Sequence, residues 1–143
     1  MTDLATALAP FRKSVLTQLS DEDLASVLLT YPACCVAVAD GTFDDDERLF
    51  ILEVCENLGD SDDPSSPQAR LAAADRYACL MQLMEHRKTV DAQVLAALKA
   101  EVAQDSATGD LIRDMLEGAA LASGDATAVE RKEISRIHAA IGL

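Results

Sequence analysis

Apolar residues recur along this chain at spacings of three and four, the repeat of a helix that buries one face. Runs that alternate with period two are nearly absent, and Ala, Leu, Glu and Arg dominate. The pattern predicts an all-α protein of about seven helices. The first is expected near residues 3–19, bent or restarted at Pro10. Ser20 before Asp21-Glu22-Asp23 reads as an N-cap with acids in the first turn, which opens the second. Pro32 removes a backbone donor, so a kink or short break is expected near Tyr31. The segment Ala33-Cys34-Cys35-Val36-Ala37-Val38-Ala39 that follows is apolar on every side and is therefore expected to be buried. Asp40-Gly41 ends it.

A third helix is predicted from about Asp45 to Leu58, closed by Gly59, and a breaker-rich loop follows to Ser66. Ser66-Pro67 reads as N-cap and first residue of a fourth helix over 67–87. Its Leu71, Ala74, Ala78, Leu80, Met81 and Met84 cover much of its circumference and predict a central position. Thr89 is the expected cap of a fifth helix, with Val94, Leu95, Leu98 and Val102 on one face. A sixth is expected from near Asp110, with Leu111, Ile112, Met115, Ala119 and Ala122 inward, ended by Ser123-Gly124. A seventh covers about 128–141. Short connections make this a compact bundle, read as a single domain over 1–143.

One segment is written twice. Residues 33–59 align with 116–142 at a constant offset without a gap. Ala37 meets Ala120, Ala39 meets Ala122, Gly41 meets Gly124, Glu47-Arg48 meets Glu130-Arg131, Ile51 meets Ile134 and Gly59 meets Gly142. Each copy reads as a small-residue apolar helix, a Gly turn, a polar loop, a Glu and an amphipathic helix. The domain is therefore expected to hold two repeated helix–turn–helix units, related by a pseudo-two-fold axis. Glu47 shares the stripe of Phe50, Ile51, Val54, Cys55 and Leu58, and Glu130 that of Ile134, Ile137 and Ile141. A carboxylate at the edge of a buried stripe needs backbone donors, a basic group or a cation.

Two readings of these glutamates stand side by side. Asp44-Asp45-Asp46-Glu47 and Thr127-Ala128-Val129-Glu130 each fit a capping box, in which cap and Glu satisfy each other's helix-end amides. The run Asp40-Gly41-Thr42-Phe43-Asp44-Asp45-Asp46-Glu47 also matches the second half of a calcium loop. The two earlier ligand positions of such a loop fall on Val36 and Val38, so further ligands would come from the second copy. The candidate metal ligands are Asp40, Asp44, Asp46 and Glu47 with Asp125 and Glu130.

Charge sharpens the picture. Twelve Lys and Arg stand against 25 Asp and Glu, a net charge of −13 over 143 residues. Ten acids and one base lie between Asp40 and Asp63. Such a chain repels phosphate, which argues against nucleic acid and anionic lipid and for cations or basic protein faces. No stretch approaches the roughly 18 to 20 apolar residues of a membrane span, and the N-terminus lacks the basic start and apolar run of a signal peptide. Cys34, Cys35, Cys55 and Cys79 lie in apolar segments without metal-site spacing and read as buried thiols of a cytoplasmic protein. With five aromatic residues, aliphatic side chains must fill the core. No grouping of nucleophile, base and acid and no Gly-rich phosphate loop is visible, so the chain is read as non-enzymatic.

The twice-written pattern, with Ala39-Asp40-Gly41-Thr42-Phe43-Asp44-Asp45-Asp46-Glu47 as its best copy, resembles the tellurite-resistance TerB family. The resemblance implies a compact helical domain whose acidic loops face one another and hold a divalent metal. Calcium, magnesium and zinc are not distinguished. It also implies a place in a membrane-associated stress complex through an integral membrane partner of the TerC type. Asp40, Asp44 and Glu47 match the first motif and Glu130 the second, with Asp46 and Asp125 as neighbours. Ser123 and Val129 depart from the motif, where it prefers Asp and where the first copy has Asp46. The expected function is a divalent-cation-binding interaction module of a metal-stress system. The alternative is a plain acidic helical adaptor that docks on a basic protein without metal.

Overall fold

A computed structural model describes residues 21–57, 67–122 and 124–143, with the backbone alone at 21–24 and 68–71. Among the described residues there are six helices and no strand. They are α1 (Asp21–Ala37), α2 (Asp45–Asn57), α3 (Pro67–Glu85), α4 (Arg87–Gln104), α5 (Ser106–Leu121) and α6 (Ala128–Ile141). The helix expected over 3–19, the caps Ser20 and Ser66, and Gly59 lie outside the described residues.

Helix α1 is the axis of the bundle, and each of the other five packs against it. Every side chain from Val27 to Ala37 is buried, as its apolar circumference dictates. That burial also explains a departure from expectation. Pro32 sits inside α1, and the short break expected near Tyr31 is absent. A proline in a helix interior costs about 3 kcal/mol, and here neighbours on all sides hold the helix together across it. Polar groups in this segment find internal partners. Thr30 Oγ1 donates to the Ser26 carbonyl (2.9 Å). The hydroxyl of the buried Tyr31 donates to Asp91 of α4 (2.8 Å), and Arg136 of α6 donates to the other oxygen of Asp91 (2.9 Å). The chain Tyr31–Asp91–Arg136 thus ties α1, α4 and α6 together.

The core is aliphatic: Leu28, Ile51, Leu80, Leu83, Leu98, Ile112, Leu116 and Ile137 are fully buried. Helix α3 buries a narrower stripe than expected, with Ala73, Arg76, Cys79, Leu80 and Leu83 inward but Ala74 and Ala78 exposed. Alanine has little apolar area, so its burial is weakly dictated. Leu111, expected inward, is exposed in the second turn of α5.

Element boundaries moved where a cap was misassigned. Only His86 separates α3 from α4, so Thr89 lies inside the first turn of α4 rather than capping it. The His86 ring nitrogen Nδ1 lies 2.9 Å from the Gln82 carbonyl and serves the end of α3. Helix α5 begins at Ser106, capped by Asp105, whose side chain accepts from the Ala107 amide (3.0 Å). Asp110, the expected start, falls within the helix. The terminal helix keeps its expected bounds and ends on Gly142, whose φ of +80° suits a residue without Cβ.

Candidate functional site

The two Gly turns lead into the amphipathic helices α2 and α6. Gly41 takes φ +85° and its amide bonds back to the Val38 carbonyl (3.0 Å). Gly124 takes φ +127° and bonds back to Leu121 (3.2 Å). Three residues after each glycine stands a cap residue, and three after that a glutamate. In the first turn the Glu47 amide donates to Asp44 Oδ1 (2.8 Å), and Glu47 Oε1 accepts from the Asp44 amide at 3.4 Å. In the second the Glu130 amide donates to Thr127 Oγ1 (3.1 Å), and Glu130 Oε1 accepts from the Thr127 amide at 2.9 Å. Both glutamates therefore engage the helix-end amides as a capping box requires.

The two turns differ at the remaining carboxylate oxygen. Glu47 is only 2% exposed, and its Oε2 is buried with no hydrogen-bond partner. Among the described residues it is the one buried side-chain oxygen or nitrogen left in that state. Burial pushes the Glu47 carboxyl up to about 7, and the like charges of Asp44 and Asp40 push the same way. Glu130 is similarly little exposed, at 3%, but neither of its oxygens is both fully buried and without a partner.

The other predicted ligands are exposed: Asp40, Asp44, Asp46 and Asp125 all face solvent. Asp40 accepts from the Thr42 amide (3.0 Å) and hydroxyl (2.8 Å), which hold its carboxyl below the usual carboxylate range. Among the described residues, no three His, Cys, Asp or Glu side chains are gathered so as to hold a metal ion. The first turn thus meets one requirement of a cation site, a buried carboxylate oxygen with nothing to accept from, and does so with oxygen donors alone. The second turn offers no such atom.

Three features around the first turn were not foreseen from spacing. The Arg48 guanidinium lies over the Phe43 ring, 5.3 Å from its centroid. Arg76 of α3, itself buried, donates through Nε to the Cys55 carbonyl near the end of α2 (2.8 Å). The Phe50 ring packs on Gly118 of α5. A buried arginine in an Ala-rich helix is a legible hint that some backbone end needs a donor. Nothing local marks which one.

All four cysteines are buried, as expected. Burial pushes the thiols of Cys35 and Cys79 up to about 12 and that of Cys55 to about 11, and Cys34 moves the same way. These groups are held as thiols, the poorly nucleophilic form. No helix among the described residues is long and apolar enough to cross a membrane.

No protein-family model, curated protein or solved structure matches the chain.

Proposed function

We propose that this chain is a non-enzymatic helical interaction module of the TerB-like kind, whose first turn takes a divalent cation. The observation that carries this reading is the orphaned Glu47 Oε2, beside the carboxylates of Asp44 and Asp40. A buried carboxylate with like charges as neighbours is unfavourable unless a positive charge or a proton offsets it. Glu47 is the buried group that would meet the cation, and the exposed Asp40, Asp44 and Asp46 of the same turn, which are not gathered about it, would have to close on it. Its chemistry would be charge neutralisation and no more. What the chain supplies is position: Gly41 turns the backbone and Asp44 anchors the start of α2. Neutralising the turn would tighten α1 against α2 and present one arrangement to a protein partner. The resemblance points to a membrane-protein partner of the TerC type in a metal-stress system.

In this reading the two turn-and-helix segments are copies of one unit. Their shared glycine, cap and glutamate geometry supports it.

A second reading, an acidic adaptor without metal, is favoured by the caps that already occupy both glutamates. One experiment separates the two. Thermal melts with added calcium, magnesium or zinc are expected to show a rise in Tm with at least one ion, lost in Glu47→Gln. Melts unchanged by all three ions leave the adaptor standing and remove the cation.

A further inference from the structure

The interaction-module reading leaves open which surface meets the partner, and resting on that reading we propose that the solvent face of α2, centred on Leu49, docks a basic amphipathic segment of a partner protein. Leu49 is 55% exposed, the most exposed large apolar side chain among the described residues. It lies opposite the buried Glu47, Ile51 and Cys55 on the helix. At 100° per residue, Asp45, Glu53 and Glu56 fall within roughly 40° of it around the axis and Asp46 within roughly 60°. All four acids are exposed.

The charge on this face is not answered locally. On α5 and α6, arginines pair with nearby acids: Arg113 with Asp110, Arg131 with Glu117, and Arg136 with Glu133 and with Asp91 of α4. Among the described residues no ion pair reaches Asp45, Asp46, Glu53 or Glu56. Arg48, the base of α2, stands about 100° away from Leu49 and stacks on Phe43. The sequence beyond the helix adds Asp60, Asp62 and Asp63. The matched face of α6 is different in kind, with Lys132 in the place of Leu49 and Arg136 in that of Glu53.

An apolar centre ringed by unpaired carboxylates fits a segment that carries Lys and Arg around an apolar residue. The acids steer the encounter, and Leu49 gives the contact that water leaves. Nucleic acid is repelled by the same charges, and two copies of a chain of net charge −13 repel each other.

The test is fluorescence anisotropy of the full chain with a labelled synthetic helical peptide that presents two Leu flanked by Lys and Arg. The wild type is expected to bind. Glu53→Lys with Glu56→Lys is expected to weaken binding by about tenfold or more, and Leu49→Ser, at unchanged charge, by about fivefold. Glu85→Lys with Asp114→Lys changes the net charge equally on other helices and is expected to cost less than about twofold. If circular dichroism shows the lysine pair to be unfolded, Glu53→Gln with Glu56→Gln replaces it, with about threefold loss expected. Equal loss from the control pair, or full affinity in Leu49→Ser, overturns this face while the module reading stands. A wild type that fails to bind the peptide even at low salt overturns both.

Discussion

Phe50 of α2 rests on Gly118 of α5, in the space where any other residue would carry its side chain. A Cβ at position 118 would stand 2.6 Å from Phe50 Cζ and 2.8 Å from Cε2, closer than such atoms approach. The glycine is helical, so its value lies in the room it leaves rather than in backbone freedom. Gly118→Ala should gain up to about 1 kcal/mol in helix propensity and lose about 1–3 kcal/mol to overpacking, because a rigid ring must move. Urea unfolding is expected to show net destabilisation. Combining it with Phe50→Leu should recover part of the loss, a coupling that independent sites would not show.

The orphaned carboxyl of Glu47 predicts an unusual pH dependence. Its folded-state value of about 7 lies above its ordinary value of 4.5. The fold therefore binds this proton more tightly than the unfolded chain does. Stability from this group is greatest below the ordinary value and falls as pH rises through about 7. In a metal-free buffer, Tm should be higher near about pH 5 than near about pH 8, with the difference reduced in Glu47→Gln. A Glu47→Gln protein that keeps the wild-type slope would assign the dependence to other acids.

The second turn should behave as a plain cap. Thr127→Ala removes the acceptor of the Glu130 amide and is expected to cost about 1 kcal/mol. The double variant with Glu130→Ala should be less destabilised than the sum of the two, since each residue serves the other's amide. Chemical denaturation of the three variants measures this coupling directly.

The network around Asp91 distinguishes a lost bond from an abandoned partner. Tyr31→Phe removes one hydrogen bond but leaves Asp91 paired with Arg136, so about 1 kcal/mol is expected. Asp91→Ala strands the buried Tyr31 hydroxyl and should cost about 1–3 kcal/mol. The order of the two unfolding midpoints checks the assignment.

The thiols give the last prediction. All four cysteines are buried and their thiolates disfavoured. A chromogenic disulfide reagent should label the native protein slowly and denatured protein at once. Rapid labelling of the native protein would reopen a thiol chemistry that the interaction-module reading has no use for.

Much of this was legible along the chain, for reasons that differ by element. The segment through Ala33 to Ala37 is apolar on all sides, and a helix of that kind has nowhere to go but the centre. Gly41, Gly124 and Gly142 were readable because few other residues take a positive φ without strain. The capping pairs were readable because their partners are three residues apart. Pro32 and Thr89 misled for the complementary reason. Propensity and cap preference are effects of about 1 to 3 kcal/mol, and the packing of α1 and the tight junction at His86 outweigh them.

The sequence by itself determined the helical class, the aliphatic core, the acidic character and the two capping pairs at Glu47 and Glu130, because each depends on side-chain type and on spacings within one or two turns. Only the tertiary structure decided that Phe50 lies on Gly118, that Tyr31 reaches Asp91, that Arg76 serves the end of α2, and that Glu47 keeps a fully buried oxygen without a partner where Glu130 does not. These depend on which helices meet and at what depth, and residues far apart in the chain carry no local mark of the neighbour that packing will bring to them.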